Sequence, residues 1–402
     1  MSKPSPEAVR KKYGSLEVWE WFEEGVRKIE LTGEGCLSDS ASNSLSGEFI
    51  GEDHYEIILQ EDADVYLPRD DDLLSMFADE TSEEDRLLAS FRKGVISTTA
   101  SDTAWDNLYK AATISDNRGQ AAGPIDPRFI RRKAQQGNLV MLTPNRAKYI
   151  LPDGALGKTT IANEVRSNIV GNFDAGPRVP FCRQTAWTKT YPERVSAFIP
   201  YLQELDDCFK RQAPEHYARQ RAFVDSGPNQ NGWTLGGTVY TTVTVNRNWQ
   251  TACHKDAGDY PLGFGNLTVV EKRPYSGGYT GFPKFKVAVD VRTGDYLAMN
   301  VHEWHCNTEL RPVNPPPEGG EWETTLNPRG DHGFDRLSFV CYARNGMSGC
   351  GTQKEENVKY GRHRKTWLRS SEKAEVLMRK RQEAADEANA EISRMRELFE
   401  DT

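Results

Sequence analysis

The stretch TTVTVNRNWQTACHKDAGD, residues 241–259, decides how the chain reads. It begins inside VYTTVTVN, Val239 to Asn246, whose alternating β-branched residues mark a strand. At its far end His254 and Asp256 stand two apart. Side chains i and i+2 share one face of an extended chain, so both can reach a common point. A second stretch, VHEWHCNTE (301–309), follows a strand expected over Asp295 to Val301 and carries His305, with His302 at the strand end as the competing histidine. A third, RLSFVCYAR (336–344), is an apolar strand headed by Arg336, with Ser338 two residues on.

A lone H-x-D says little. Followed in order by a distal histidine and an arginine strand, it says much more. Two histidines and one carboxylate form a facial triad that leaves coordination positions open on Fe(II). An arginine on a late strand can clamp the far carboxylate of 2-oxoglutarate through its planar fork, and Ser338 shares its face. Further strands are expected over Asn266 to Glu271 and Lys286 to Val291, with turns at Gly277-Gly278 and Thr293-Gly294. Tyr191 to Lys210 reads as a helix with Phe198, Leu202, Leu205 and Phe209 on one side, and Glu215 to Val224 as a second. The fold class is therefore α+β: a double-stranded β-helix, jelly-roll or cupin-like, over about 238–344, with flanking helices.

With these motifs on the page, the chain resembles the Tet/JBP family of Fe(II)/2-oxoglutarate-dependent DNA 5-methylpyrimidine dioxygenases. It is closer to the base-J thymine hydroxylase branch and its virus-type relatives. RVPFCRQTAWT (178–188) and SDNRGQAAG (115–123) also look like family segments, and the likeness runs over residues 110–345. The resemblance implies that His254, Asp256 and His305 are the catalytic iron ligands, that Arg336 and Ser338 bind 2-oxoglutarate, and that O2 is consumed. It places Arg183 near the active site. Arg118, between Asn117 and Gly119 in a tight loop, is a candidate contact to phosphate or cosubstrate. Asp259 stands where the methylcytosine-oxidising branch has a base-reading asparagine. An ionised carboxylate only accepts hydrogen bonds, and thymine offers its N3–H. The insert Pro312 to Asp335, with Pro315-Pro316-Pro317, departs from the family pattern by lengthening the gap before Arg336. The function implied is conversion of thymine in DNA to 5-hydroxymethyluracil, with the base flipped out of the duplex. The alternatives are 5-methylcytosine oxidation, a dioxygenase of a protein or small molecule, and a catalytically inactive modified-DNA-binding protein.

The rest of the chain bounds this reading. The 402 residues are 37% hydrophobic and include nine Trp, enough for a sizeable core. No apolar run spans a membrane, and no apolar signal segment opens the chain, so an intracellular protein is expected. Seven Cys without a C-x-x-C pair argue against a zinc site and against a disulfide framework. The net charge of −8 is segregated: residues 1–88 carry −15, leaving +7 on the remainder, which permits a basic face for DNA. Three units are expected: an acidic N-terminal extension (1–88), a dioxygenase domain (89–350) and a charged helical C-terminal extension (351–402). Within the first, Glu17 to Ile29 reads as an amphipathic helix, residues 33–48 as a loop, and Glu61 to Asp85 as a solvated acidic loop. Arg131-Arg132-Lys133, Arg146 and Lys148 are candidate phosphate contacts. Glu383 to Phe399 reads as a charged helix with one apolar stripe.

Overall fold

Strand pairing gathers the three motif-bearing stretches side by side. The computed structural model describes residues 4–69 and 84–366 apart from 159, 178 and 318. Asp70-Asp71-Asp72 and the helix expected over Glu383 to Phe399 lie outside the described residues. The strands that matter are β1 (Val9–Tyr13), β2 (Leu16–Glu23), β3 (Val26–Leu31), β4 (Ile57–Leu59), β5 (Ala63–Tyr66) and β6 (Leu87–Arg92). After helix α1 (Thr98–Leu108) come β7 (Val165–Phe173) and β8 (Arg183–Gln184), then helices α2 (Pro192–Gln212) and α3 (Pro214–Asp225). The last set is β9 (Thr242–Arg247), β10 (Gly265–Arg273), β11 (Thr280–Phe282), β12 (Val287–Val289), β13 (Tyr296–Met299), β14 (Cys306–Asn307) and β15 (Asp335–Tyr342).

The large sheet runs β1-β2-β3-β5-β6-β13-β10-β15-β9-β7-β8, and a small sheet runs β14-β11-β12-β4. Apolar side chains from both sheets, among them Leu267, Phe282, Val287 and Leu297, meet between them. The fold is a double-stranded β-helix with flanking helices. On the other face of the large sheet, Phe198, Leu202, Leu205 and Phe209 of α2 pack on Val243, Val245, Leu337 and Phe339. Those four α2 residues are the stripe expected from the sequence. Truncating Phe198 or Phe339, whose ring centroids lie 5.8 Å apart, costs about 3–5 kcal/mol.

The N-terminal region differs from expectation. Glu17 to Ile29 is no helix. It is the β2–β3 hairpin, with Glu23 opposite Val26 and Glu24 and Gly25 as the turn at φ 50° and 80°. Two successive positive φ values suit the right-handed twist of a hairpin. The apolar spacing Val18, Trp19, Trp21, Phe22 is helical rather than alternating; in the strand Val18 faces one core and Trp19 and Trp21 the other, so both faces are apolar, and the β-branched and aromatic content fits strand. Part of the expected acidic loop is also a strand: Asp64 of β5 is buried, paired with Arg92 at 2.7 Å and Lys28 at 2.6 Å. Residues 33–48 include a short helix, Asp39–Ser44. Through β6 and β13 the N-terminal strands continue the sheet that carries the motifs.

The thiols also differ from expectation, because Cys182 and Cys350 form a disulfide. They are 168 residues apart in sequence, a pairing no short spacing signals. Among the described residues no helix is long and apolar enough to cross a membrane.

Glu56 ties the β1–β2 turn to the small sheet. Its carboxylate accepts from the Ser15 N–H (2.6 Å) and hydroxyl (2.7 Å) and pairs with Lys286 at 3.1 Å. Burial opposes ionisation, but these donors outweigh it and hold the pKa at about 2. A lowered folded-state pKa gives stability that is present above the unfolded value and is lost as pH falls toward 2. Glu56→Gln is expected to lower stability at pH 7 by about 1 kcal/mol, given solvent screening at this partly exposed site. In thermal melts the gap from wild type should close between pH 4.5 and 2. A gap that persists at pH 2 would contradict this.

Candidate active site

Beyond β9 the chain turns at Asn248, in the left-handed region at φ 47°, and enters the loop that bears His254 and Asp256. This loop is pinned to the segment before β14. His254 and His305 exchange backbone hydrogen bonds, each 3.0 Å, and Asp256 N–H donates to the Val301 carbonyl at 3.0 Å. The two imidazoles are thereby placed side by side, centroids 4.4 Å apart. Each ring turns its Nδ1 toward a carbonyl two residues back, Ala252 at 2.8 Å and Glu303 at 2.9 Å. A carbonyl only accepts, so Nδ1 carries the hydrogen and Nε2 presents its lone pair. Both Nε2 atoms lie 3.7 Å from the Asp256 carboxylate. The three ligand atoms fall within 4.8 Å of one another. Burial, and then His254, push the His305 pKa down to about 4, which keeps its ring neutral. Two neutral nitrogens and one carboxylate suit a divalent first-row cation. His302 is turned elsewhere, its Nε2 3.3 Å from the Tyr260 carbonyl.

The triad opens into a cleft of about 480 Å3 between the two sheets. Ser338, Asp259 and Arg118 line it. Arg336 is not itself in the cleft lining; it stands two residues before the lining Ser338 on the same face of β15, 1% exposed, with its Nε donating to the Tyr275 hydroxyl at 3.1 Å. Its backbone N–H donates to the Asn248 side chain at 2.8 Å. Buried polar atoms normally find partners. Four here have none: Arg336 Nη2, Arg118 Nε, Asp259 Oδ2 and Trp249 Nε1. The three N–H donors among them, Arg336 Nη2, Arg118 Nε and Trp249 Nε1, suit a ligand rich in acceptors. Burial, and then the charge of Asp256, raise the Asp259 pKa well above the carboxylate range, against the pull of Arg344. Burial lowers the Arg118 pKa.

Arg183 is not brought to the cleft wall. Its guanidinium stacks over Phe173, 5.1 Å from the centroid, and Phe173 is the residue that lines the cleft. Of the candidate phosphate contacts, Arg146 reaches the cleft rim, whereas Arg132 and Lys133 pair with Glu164. Arg344 went unnoticed in the sequence. It lines the cleft opposite Asp259, stacks on Phe173 at 4.4 Å and is held by Asp174 at 2.6 Å. A signal existed: residues 336, 338, 340, 342 and 344 alternate onto one face of β15 and its continuation.

The fold is a double-stranded β-helix, and the donor set is one that could hold a divalent metal ion. Residues 170–345, less than half of the chain, match the Tet/JBP model, described as the oxygenase domain of the 2OGFeDO superfamily. Over 196 residues the chain is 31% identical to the bifunctional helicase and thymine dioxygenase JBP2 of Leishmania infantum, covering 48% of this chain and 16% of that protein. The protein of the same name from Trypanosoma cruzi (strain CL Brener) is 28% identical over 348 residues, 83% of this chain and 28% of its own length. Thymine dioxygenase JBP1 of Crithidia fasciculata is 27% identical over 243 residues, 60% of this chain and 27% of that protein. The chain thus matches less than a third of the length of each of these relatives.

Proposed function

We propose that the protein is an Fe(II)/2-oxoglutarate-dependent dioxygenase that hydroxylates the C5-methyl of thymine in DNA, giving 5-hydroxymethyluracil. The observation that carries this is the meeting of His254, Asp256 and His305 at a cleft that Ser338 lines, with the buried Arg336 two residues before Ser338 on the same strand face. His254, Asp256 and His305 would hold the iron. Arg336, with Ser338, would bind the far carboxylate of 2-oxoglutarate; its Nη2 has no other partner. Bound there, iron, 2-oxoglutarate and O2 supply an oxidant that replaces a methyl hydrogen by hydroxyl, with succinate and carbon dioxide released.

The chain's own residues position the base. Burial and the Asp256 charge favour the neutral carboxyl of Asp259, whose carbonyl oxygen would accept the thymine N3–H. Arg344, which can only donate, faces O4. On 5-methylcytosine the same arginine would meet an amino group, donor against donor, and rejecting a wrongly paired edge costs more than rejecting a missing methyl. Arg118 supplies a further donor deep in the cleft. A base stacked in a duplex cannot reach this interior, so it enters flipped. The names of the relatives, thymine dioxygenases, favour the same base.

The test is nucleoside analysis by mass spectrometry after incubation with Fe(II), 2-oxoglutarate and ascorbate. One duplex carries unmodified thymine and the other added 5-methylcytosine. 5-Hydroxymethyluracil is expected from both duplexes. If only 5-hydroxymethylcytosine forms, the base assignment fails and the reaction type stands. Arg344→Gln is expected to narrow the preference for thymine by roughly tenfold, the worth of one charged hydrogen bond.

A further inference from the structure

A second cavity, of about 360 Å3, lies on the opposite face of the large sheet from the active cleft, under the end of α1. Its wall is built by the strand ends: Arg166 of β7, Arg247 of β9, Arg273 of β10 and Asp335 of β15, with Arg329 and Asp331 from the loop before β15. The parity of the strands separates it from the cleft. Thr244 and Asn246 face the cleft, so Arg247 and the core residues Val243 and Val245 face away.

The charges do not cancel. Arg273 takes both Asp331 and Asp335, each at 2.8 Å, and Arg247 shares Asp335 at 2.9 Å. Arg329 pairs with Glu164. Arg166 has no carboxylate within ion-pair reach among the described residues. Its Nε donates to the Pro328 carbonyl at 2.5 Å, and neither Nη group donates to another of the described residues. The Arg247 guanidinium carbon sits 3.9 Å from the Tyr109 ring centroid, and its buried Nε has no acceptor among the described residues. Burial, and then the neighbouring charges of Arg247 and Arg329, push the Arg166 pKa down.

We infer that this cavity is an anion site for a phosphate group, held by Arg166 and Arg247 and bordered by Arg329. Planar guanidinium forks match phosphate oxygens bidentately, and a phosphate would accept from the Arg247 Nε and offset the excess positive charge. The inference does not rest on the proposed reaction, because none of these arginines lines the active cleft. A phosphate group can come from free phosphate or from a nucleic-acid backbone, and the two sources differ in their salt dependence.

The test uses the full chain. Inorganic phosphate, at ionic strength matched with chloride, is expected to raise the thermal midpoint and to bind saturably by calorimetry. Arg166→Gln is expected to weaken phosphate binding at least tenfold, with Arg329→Gln, at the cavity's outer edge, as the second variant if the first does not fold. No saturable phosphate binding by the wild type, or full binding in both folded variants, overturns the site. If the phosphate belongs to a duplex, the slope of log K against log salt for oligonucleotide binding should fall by about 0.9 in the variant. An unchanged slope alongside lost phosphate binding assigns the site to free phosphate.

Discussion

Asp256→Ala is expected to abolish 2-oxoglutarate turnover and to weaken Fe(II) binding by more than about 100-fold, since even residues that only orient metal ligands cost 10–100-fold when removed. The carboxylate is the one anionic donor of the triad, 3.7 Å from the Nε2 of each histidine. Two neutral imidazoles alone leave the charge of a divalent cation uncompensated. The substitution should leave the fold intact: the Asp256 side chain is 34% exposed, and its backbone bond to Val301 does not involve the carboxylate. Asp259 is unfavourable as a carboxylate first because it is buried and then because of the Asp256 charge; the substitution removes the second cause, so the metal-free protein should not lose stability. Fe(II) titration and succinate release check both parts. Wild-type Fe(II) affinity in a folded Asp256→Ala variant would remove the triad assignment.

Arg336→Lys is expected to raise the KM for 2-oxoglutarate by about 10–100-fold with a smaller change in kcat. A hydrogen bond to a charged group is worth about 1.5–3 kcal/mol, and an ammonium cannot reproduce the two parallel bonds of the guanidinium fork. Arg336 is almost fully buried, so water cannot substitute for the lost donor. The Tyr275 hydroxyl that receives its Nε would lose that donor as well. Tyr275→Phe should show a milder version of the same KM effect, because it loosens the arginine without removing it. Unchanged 2-oxoglutarate affinity in Arg336→Lys would strip Arg336 of the role. The uncoupled reaction, run without DNA, keeps this measurement independent of the substrate base.

The three motif stretches were legible because each lies on or beside a strand with a clear period of two. β9, β10, β13 and β15 fall where alternation puts them, to within a few residues. The α2 stripe was legible for the same reason at a period of 3.6. The hairpin over Glu17 to Ile29 reads as a helix because its strand is apolar on both faces, so Val18, Trp19, Trp21 and Phe22 imitate a helical spacing, and a turn of Glu24 and Gly25 reads weakly. Arg344 is legible only when the alternation that pairs Arg336 with Ser338 is carried onward to residue 344, past the end of the apolar strand.

The sequence by itself determined the class of fold and the donor types of the site, because backbone periodicity and side-chain chemistry are local properties. Tertiary structure alone decided four further things. It turned His302 toward Tyr260 and His305 toward Asp256, a choice made by the backbone exchange between His254 and His305. It joined Cys182 to Cys350 across 168 residues. It placed Arg183 on Phe173 rather than on the cleft wall. And it aligned Arg166, Arg247, Arg273 and Asp335 at neighbouring strand ends to make a charged cavity that no stretch of sequence displays. These depend on register between strands distant in sequence, and register is set by which faces the whole chain can bury together.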